Sequence, residues 1–247
     1  MYAIVLMRRD FRENDQIITF YTKENGKVEV LARGVKKIIS KNSANLEPFC
    51  FVDVEILQNK EMKFLGSVQT SNSFSNLRQD FKKILLAQAT LKLLSDLTQE
   101  NLPDKKVFIF LYSWLKFLDE LENVVDYVML CNAFILKMSA LLGFLPQLNF
   151  CVHCSRKYNG EKSWFFHFSG GGVLCESCKI KNLIQPGDLA FLGFMRKDII
   201  DLIISKFSDV GSIENSENPE KVYKFIIRFL ESFNEKEVKR LNLAFLC

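Results

Sequence analysis

Four of the seven cysteines stand as two pairs, Cys151-x-x-Cys154 and Cys175-x-x-Cys178, separated by a 20-residue insert. Two residues between thiolates let a pair present both sulfurs to one ion, and two pairs complete the tetrahedral four-sulfur shell that zinc takes in structural sites. Thiolates are soft ligands, which favours zinc and leaves iron as the second choice. The other readings are four reduced cysteines without an ion, and redox chemistry. A redox dithiol expects a single Cys-x-x-Cys beside a βαβ unit, and the sequence has no such unit. A shell filled by Cys151, Cys154, Cys175 and Cys178 leaves no position for water or substrate, so the expected cofactor is one structural Zn2+ that braces the fold. His153 and His167, the only histidines, are not needed as ligands. Trp164, Phe165, Phe166 and Phe168 are expected to cap the metal module, because so short an insert needs metal plus aromatics to hold it; base stacking by one of them is the alternative. Cys50, Cys131 and Cys247 stand alone among apolar neighbours and read as small core or terminal residues.

Other catalytic constellations are missing from the sequence. There is no G-x-x-x-x-G-K-[ST] phosphate loop: the run Ser169-Gly170-Gly171-Gly172 lies inside the cysteine insert and lacks the lysine. Two histidines make no H-E-x-x-H, and no G-x-S-x-G elbow is present. Asp119, Glu120 and Glu122 read as the solvated side of a helix. The chain is therefore expected not to be an enzyme. The competing class, a metal-dependent nuclease or nucleotide hydrolase, requires an open metal position or clustered carboxylates; a zinc-braced protein scaffold is a further alternative.

The net charge of +4 is too small to imply a nucleic-acid partner, but its distribution is uneven. Arg8, Arg9 and Arg12 are offset by Asp10, Glu13 and Asp15, whereas the run Arg33-Gly-Val-Lys36-Lys37-Ile-Ile-Ser-Lys41 holds four basic residues and no acid.

The elements that must carry these residues divide the chain in two. Residues 2–8, 16–33, 49–57 and 64–74 alternate like five short strands. Asn25-Gly26 supplies a hairpin turn, "QNKEMK" a second turn, and 34–48 a long connection. This fits a Greek-key barrel of the OB type; a small open β-sandwich fits the same periodicity. From about Ser75 the period becomes helical, with three successive helices read as a bundle; Asp104 caps the second, and Gly143 with Pro146 ends the third. After the cysteines a helix is expected from about Gly187, then a polar gap, then a last helix from Lys221. The expected class is α+β, an N-terminal five-stranded OB-fold barrel over 1–74 followed by an α-helical domain over 75–247, with an inserted zinc module at 149–181. The start lacks a signal-peptide pattern, and the apolar stretches are broken by Lys116, Asp126 and Lys137, so a cytoplasmic protein is expected.

The stretch "AIVLMRRDFRENDQIITFYTKENGKVEVLARGVKK", followed by "SANLEPFCFVDVEI", resembles the amino-terminal region of the RecO family of bacterial recombination mediators. The Glu-Asn-Asp after the first strand, the T-x-x-x-G-K hairpin, the Ala-Arg-Gly-Val-Lys-Lys run and the Leu-x-Pro-Phe lead-in to the fourth strand come in the family's order. The remainder matches in outline, through a helical domain, a four-cysteine module and a close near "KRLNLAFL". The resemblance implies a protein that binds single- and double-stranded DNA, anneals complementary strands, works with RecR and single-strand-binding protein, and helps load RecA, in the cytoplasm and at the nucleoid during repair.

On that footing Arg33, Lys36, Lys37 and Lys41, with Arg9 and Arg12 from the neighbouring loop, are the expected DNA-binding residues. Phe11, Phe20 and Tyr21 are aromatics that could stack bases, though alternation puts at least half of them in the core. In the last helix, Lys221, Lys224 and Arg228 fall along one side beside Val222, Phe225, Ile226, Phe229 and Phe233. They are the candidate site for the acidic, aromatic-ended tail of single-strand-binding protein; a helix packed on the core with a solvated basic edge is the other reading.

Overall fold

The computed structural model describes residues 1–60, 62–122, 126–159, 164–181, 184–191, 195–205 and 219–233. These form two compact units, Met1–Val124 and Val125 onward. The closing stretch around 239–246 lies outside the described residues.

The first unit opens with five strands, β1 (Tyr2–Asp10), β2 (Gln16–Thr22), β3 (Gly26–Ala32), β4 (Phe51–Gln58) and β5 (Lys63–Asn72). They close into a barrel in the order β1-β2-β3-β5-β4, with β4 returning to β1 and a parallel seam between β3 and β5. That order is the five-stranded Greek-key barrel of OB folds, and closure settles the choice against an open sandwich. Inward positions alternate along each strand, as Ala3 and Val5, Ile18 and Phe20, Val28 and Val30, and Val52 and Val54. The outward residues Ile4 and Tyr21 are buried as well, which is why β1 and β2 read as nearly continuous apolar runs: α1 (Phe81–Leu97) packs on β1.

The β2–β3 turn differs from a two-residue Asn-Gly hairpin. Thr22 pairs with Gly26 across a three-residue loop, and of the Asn-Gly pair only Gly26 has positive φ (65°). The Thr22 hydroxyl holds the loop, accepting from the Asn25 N–H (2.9 Å) and donating to Gly26 O (3.1 Å). A Cβ at Gly26 would lie 2.3 Å from Leu102 O, so this position has room only for glycine.

The lead-in to β4 is held with equal economy. Phe49 takes a left-handed φ of 76° and is 5% exposed. Arg78 lies over its ring and donates to Pro48 O and Ser73 O, and Phe49 N–H reaches Val5 O at 2.9 Å. These contacts retain a backbone conformation that is costly for a bulky residue.

α1 and α2 (Lys105–Glu120) start on Asp80 and Asp104, whose carboxylates each accept two backbone N–H groups of the first turn. The buried Trp114 indole N–H donates to Thr90 Oγ1 at 2.9 Å and joins the two helices. Both belong with the barrel in the first unit, where α1 packs on β1. The expected bundle of three is divided instead, because α3 (Tyr127–Leu142) lies in the second unit and packs with α5 (Met195–Ile204) and α6 (Pro219–Phe233). α3 is capped by Asp126 and ends at left-handed Gly143.

Between α3 and α5 lie β6 (Trp164–His167), β7 (Gly172–Cys175), α4 (Glu176–Lys181) and β8 (Leu189–Phe191), with sheet order β7-β6-β8. The helix expected from Gly187 therefore starts later, at Met195. Residues 186–188 form a single 3-10 turn, and Leu189–Phe191 add a third strand beside β6.

Candidate functional site

The two cysteine pairs reach one point by different backbone devices. Cys151 and Cys154 sit in a tight turn after α3, in which Ser155 N–H donates to Cys151 O (2.9 Å) and Cys151 N–H to Arg156 O (2.8 Å). Val152 N–H then docks the turn on β7 through Val173 O (2.9 Å). Cys175 ends β7 and Cys178 follows inside α4, so strand and helix deliver the second pair.

The four sulfurs lie within 4.8 Å of one another. The Cys154 and Cys175 sulfurs are 3.7 Å apart, too far for a disulfide of about 2.05 Å and close to the edge of about 3.8 Å that a tetrahedron with metal–sulfur bonds of about 2.3 Å requires. The donor set and its spacing suit one metal ion. Burial works to raise the Cys151 thiol, but backbone N–H groups of Cys175, Cys154 and His153 bring it down to about 6, while burial and the neighbouring sulfurs push Cys178 up to about 12. Four thiols this close oppose one another's ionisation, and a cation among them would favour all four thiolates. The histidines stand outside it: His153 and His167 stack at 5.7 Å, and His167 Nε2 lies 3.1 Å from an Asp188 carboxylate oxygen.

The glycine run has a steric explanation. It turns β6 into β7, and a Cβ at Gly172 would come within 2.6 Å of Gln147 O. The aromatic cap is also in place. Trp164, Phe166 and Phe168 are buried, Phe166 packs edge-on against Phe225 and Phe229 of α6, and Lys179 lies 3.7 Å over the Phe165 ring. Trp164 donates its indole N–H to Asn159 at 2.7 Å.

On the barrel, the loop after β1 and the connection after β3 are tied together. Gly34 N–H donates to Asp15 Oδ1 (2.8 Å), Lys36 N–H to Asn14 O (3.1 Å), and Lys36 Nζ to Asp10 Oδ2 (2.7 Å). Hydrogen bonds from Lys36 and Gln16 hold the Asp10 carboxyl below its ordinary value. The six basic residues expected to meet DNA thus fall into three situations. Arg9 pairs with Glu29 (2.9 Å) and Lys36 with Asp10; Arg12 lies over Phe11 (5.2 Å) and Arg33 over Phe64 (4.4 Å); Lys37 and Lys41 are exposed, with no ion pair among the described residues. Of the three aromatics, Phe20 and Tyr21 are buried, and only Phe11 is open to solvent.

The structure adds Lys60 and Lys63, from the turn "QNKEMK". They line a groove of about 260 Å³ with Glu29, Leu31, Glu100 and Asn101 on the face where OB barrels hold ligands. Their signal was the position of that turn between the fourth and fifth strands.

The basic edge of α6 is divided too. Lys221, Lys224 and Arg228 are exposed, but Arg228 donates to Gly187 O and lies 4.3 Å over the Phe168 ring. Val222, Phe225, Ile226 and Phe229, expected as the wall of a groove, are buried in the core of the second unit. Among the described residues no helix is long and apolar enough to cross a membrane.

Two family models cover most of this chain: "Recombination protein O N terminal" matches residues 1–74 and "Recombination protein O C terminal" residues 78–198. The chain is similar to the DNA repair protein RecO of Pelotomaculum thermopropionicum, 34% identical over 71% of this chain and 66% of that protein. It is similar to RecO of Thermoanaerobacter sp., 29% identical over 72% and 70% of the two chains. Against RecO of Caldanaerobacter subterraneus subsp. tengcongensis the match extends over 98% and 95% at 26% identity. An OB-type barrel followed by helices and a four-cysteine centre is thus accompanied by similarity along nearly the whole length, and the chain belongs to the RecO family of DNA repair and recombination proteins.

Proposed function

We propose that this protein is a non-catalytic recombination mediator. It binds single- and double-stranded DNA, anneals complementary strands and, with RecR, helps load RecA onto DNA coated by single-strand-binding protein, in the cytoplasm and at the nucleoid during repair. The observation that carries the reading is the closed barrel whose loop after β1 and connection after β3 meet in one basic neighbourhood, in a chain of the RecO family.

Annealing needs no covalent chemistry. Two strands must be brought together against phosphate repulsion with their base edges left free, so cations on phosphates serve better than base-specific contacts. Lys37 and Lys41 are the foremost candidates, with Arg33, Arg12, Lys36 and Arg9 around them; the last two must exchange an internal carboxylate for a phosphate. About four such contacts give a log–log salt slope of roughly −3 to −4. The cysteine cluster supports a structural Zn2+, since four thiolates fill a tetrahedral shell and leave nothing open for chemistry. The tail of single-strand-binding protein is assigned to the exposed Lys221 and Lys224 edge of α6, with Arg228 available once it leaves Gly187 O.

The test is a strand-annealing assay with a labelled oligonucleotide pair, without nucleotide, followed for cleavage. Faster annealing with intact strands is the expected result. Cleavage abolished by chelation would mean a nuclease, and neither annealing nor cleavage a scaffold.

A further inference from the structure

We infer that Ile38 and Ile39 form an apolar wedge that enters the base stack of DNA while the surrounding cations hold its phosphates. They are 104% and 86% exposed, the two most exposed large apolar side chains among the described residues. A scattered exposed isoleucine needs no explanation, but two adjacent ones this exposed form a patch that the described residues leave uncovered.

Local geometry makes the pair a tip. Ser40 N–H donates to Lys37 O at 2.9 Å, so Ile38 and Ile39 occupy the two corner positions of a turn. β-Branched residues are not what such corners favour, and here neither side chain repays the placement by packing. Both feet of the turn are fixed. On one side Val35 is 3% exposed in the barrel core and Gly34 and Lys36 are tied to the loop after β1; on the other Leu46 is fully buried and Asn45 accepts from the Thr70 hydroxyl at 2.8 Å. The tip is held out from a rigid barrel.

The charge around it selects the occupant. From Arg33 to Leu46 the chain carries Arg33, Lys36, Lys37 and Lys41 and no acidic residue. An apolar partner surface would not call for that rim, whereas DNA offers phosphates outside and apolar base faces within. Isoleucine is among the side chains that wedge between base steps, partly unstacking them at a cost of a few kcal/mol per step. For a protein that must bring bases into new pairings, a wedge beside a phosphate clamp provides unstacked bases where the backbone is already held.

The inference rests on the DNA-binding reading, and two variants separate them. Ile38→Ser/Ile39→Ser and Lys37→Glu/Lys41→Glu, both altering exposed side chains, are compared with the parent protein on duplex and single-stranded oligonucleotides carrying 2-aminopurine, whose fluorescence rises on unstacking. Unchanged thermal melting of each variant confirms folding. The parent is expected to raise fluorescence severalfold; the isoleucine variant is expected to lose that rise and about fivefold in affinity while keeping the salt slope, and the lysine variant to lose slope. If the lysine variant weakens binding but the isoleucine variant keeps both affinity and fluorescence, the wedge is wrong, the DNA reading stands and the tip belongs to a protein partner. If neither variant changes anything, both readings fall.

Discussion

The cysteine cluster and the basic turn at residues 33–41 are both irregular segments dominated by one chemistry, but they are built in opposite senses. In the cluster the functional atoms converge. Three of the four cysteines are buried, backbone N–H groups point at Cys151, and aromatics from β6 and α6 close over the hairpin. In the turn they diverge. Its backbone is fastened to the barrel at both feet, while Lys37, Ile38, Ile39 and Lys41 face solvent. The convergent arrangement suits a stabilising ion, and the divergent one suits an external partner.

The largest effect expected from this contrast follows Cys175→Ser. Removing one thiolate from a closed shell should abolish stoichiometric metal and take much of the protein out of the soluble fraction, because binding energy at such a site is folding energy; zinc content and soluble yield measure it. A folded, metal-free variant that still annealed would break the contrast.

Acidification comes next. The Cys151 thiol is depressed to about 6, so the stability its thiolate contributes is present above the ordinary thiol range and is lost as pH falls through about 6. Metal release followed with a chromophoric chelator should rise as pH falls, because protons compete with the ion for all four thiolates.

At the turn, Lys37→Glu/Lys41→Glu should leave metal content untouched, weaken every DNA sequence alike by about tenfold or more at low salt, and reduce the salt slope by about 2. An unchanged slope would remove these lysines from the interface.

The smallest expected effect is at α6. Lys224→Glu should reduce binding of a fluorescent acidic tail peptide by about twofold to fivefold, the range of an exposed ion pair, and an unaltered titration would place the tail elsewhere.

The cluster was legible in the sequence because its information is local: C-x-x-C sets two ligands by itself, and only the second pair must be found. The barrel was legible through alternation and turns, and the start of the second helix through its cap Asp104. What escaped depends on pairing across distance. The Arg9–Glu29 ion pair needs the register of three strands. Leu189–Phe191 is a short apolar run that periodicity alone cannot assign to strand or helix, and its pairing with β6 decides it. Helical period likewise showed that α1, α2 and α3 were amphipathic or buried without saying which shared a core.

The parallel seam of the barrel has a kinetic consequence. Leu31 opposite Phe64 is the register that joins β3 to β5, against seven paired positions between β2 and β3. The antiparallel meander β1-β2-β3 forms from neighbours in sequence, but the seam must wait until more than thirty intervening residues have been ordered, a loop-closure cost that nothing local offsets. The β1–β4 joint spans a longer loop still but has three paired positions against the seam's one, so the closed barrel should open first at the seam. Amides bonded across the β3–β5 seam should exchange faster than those in the middle of the β2–β3 ladder, and the Arg33 guanidinium resting on the Phe64 ring then acts as a latch on that joint.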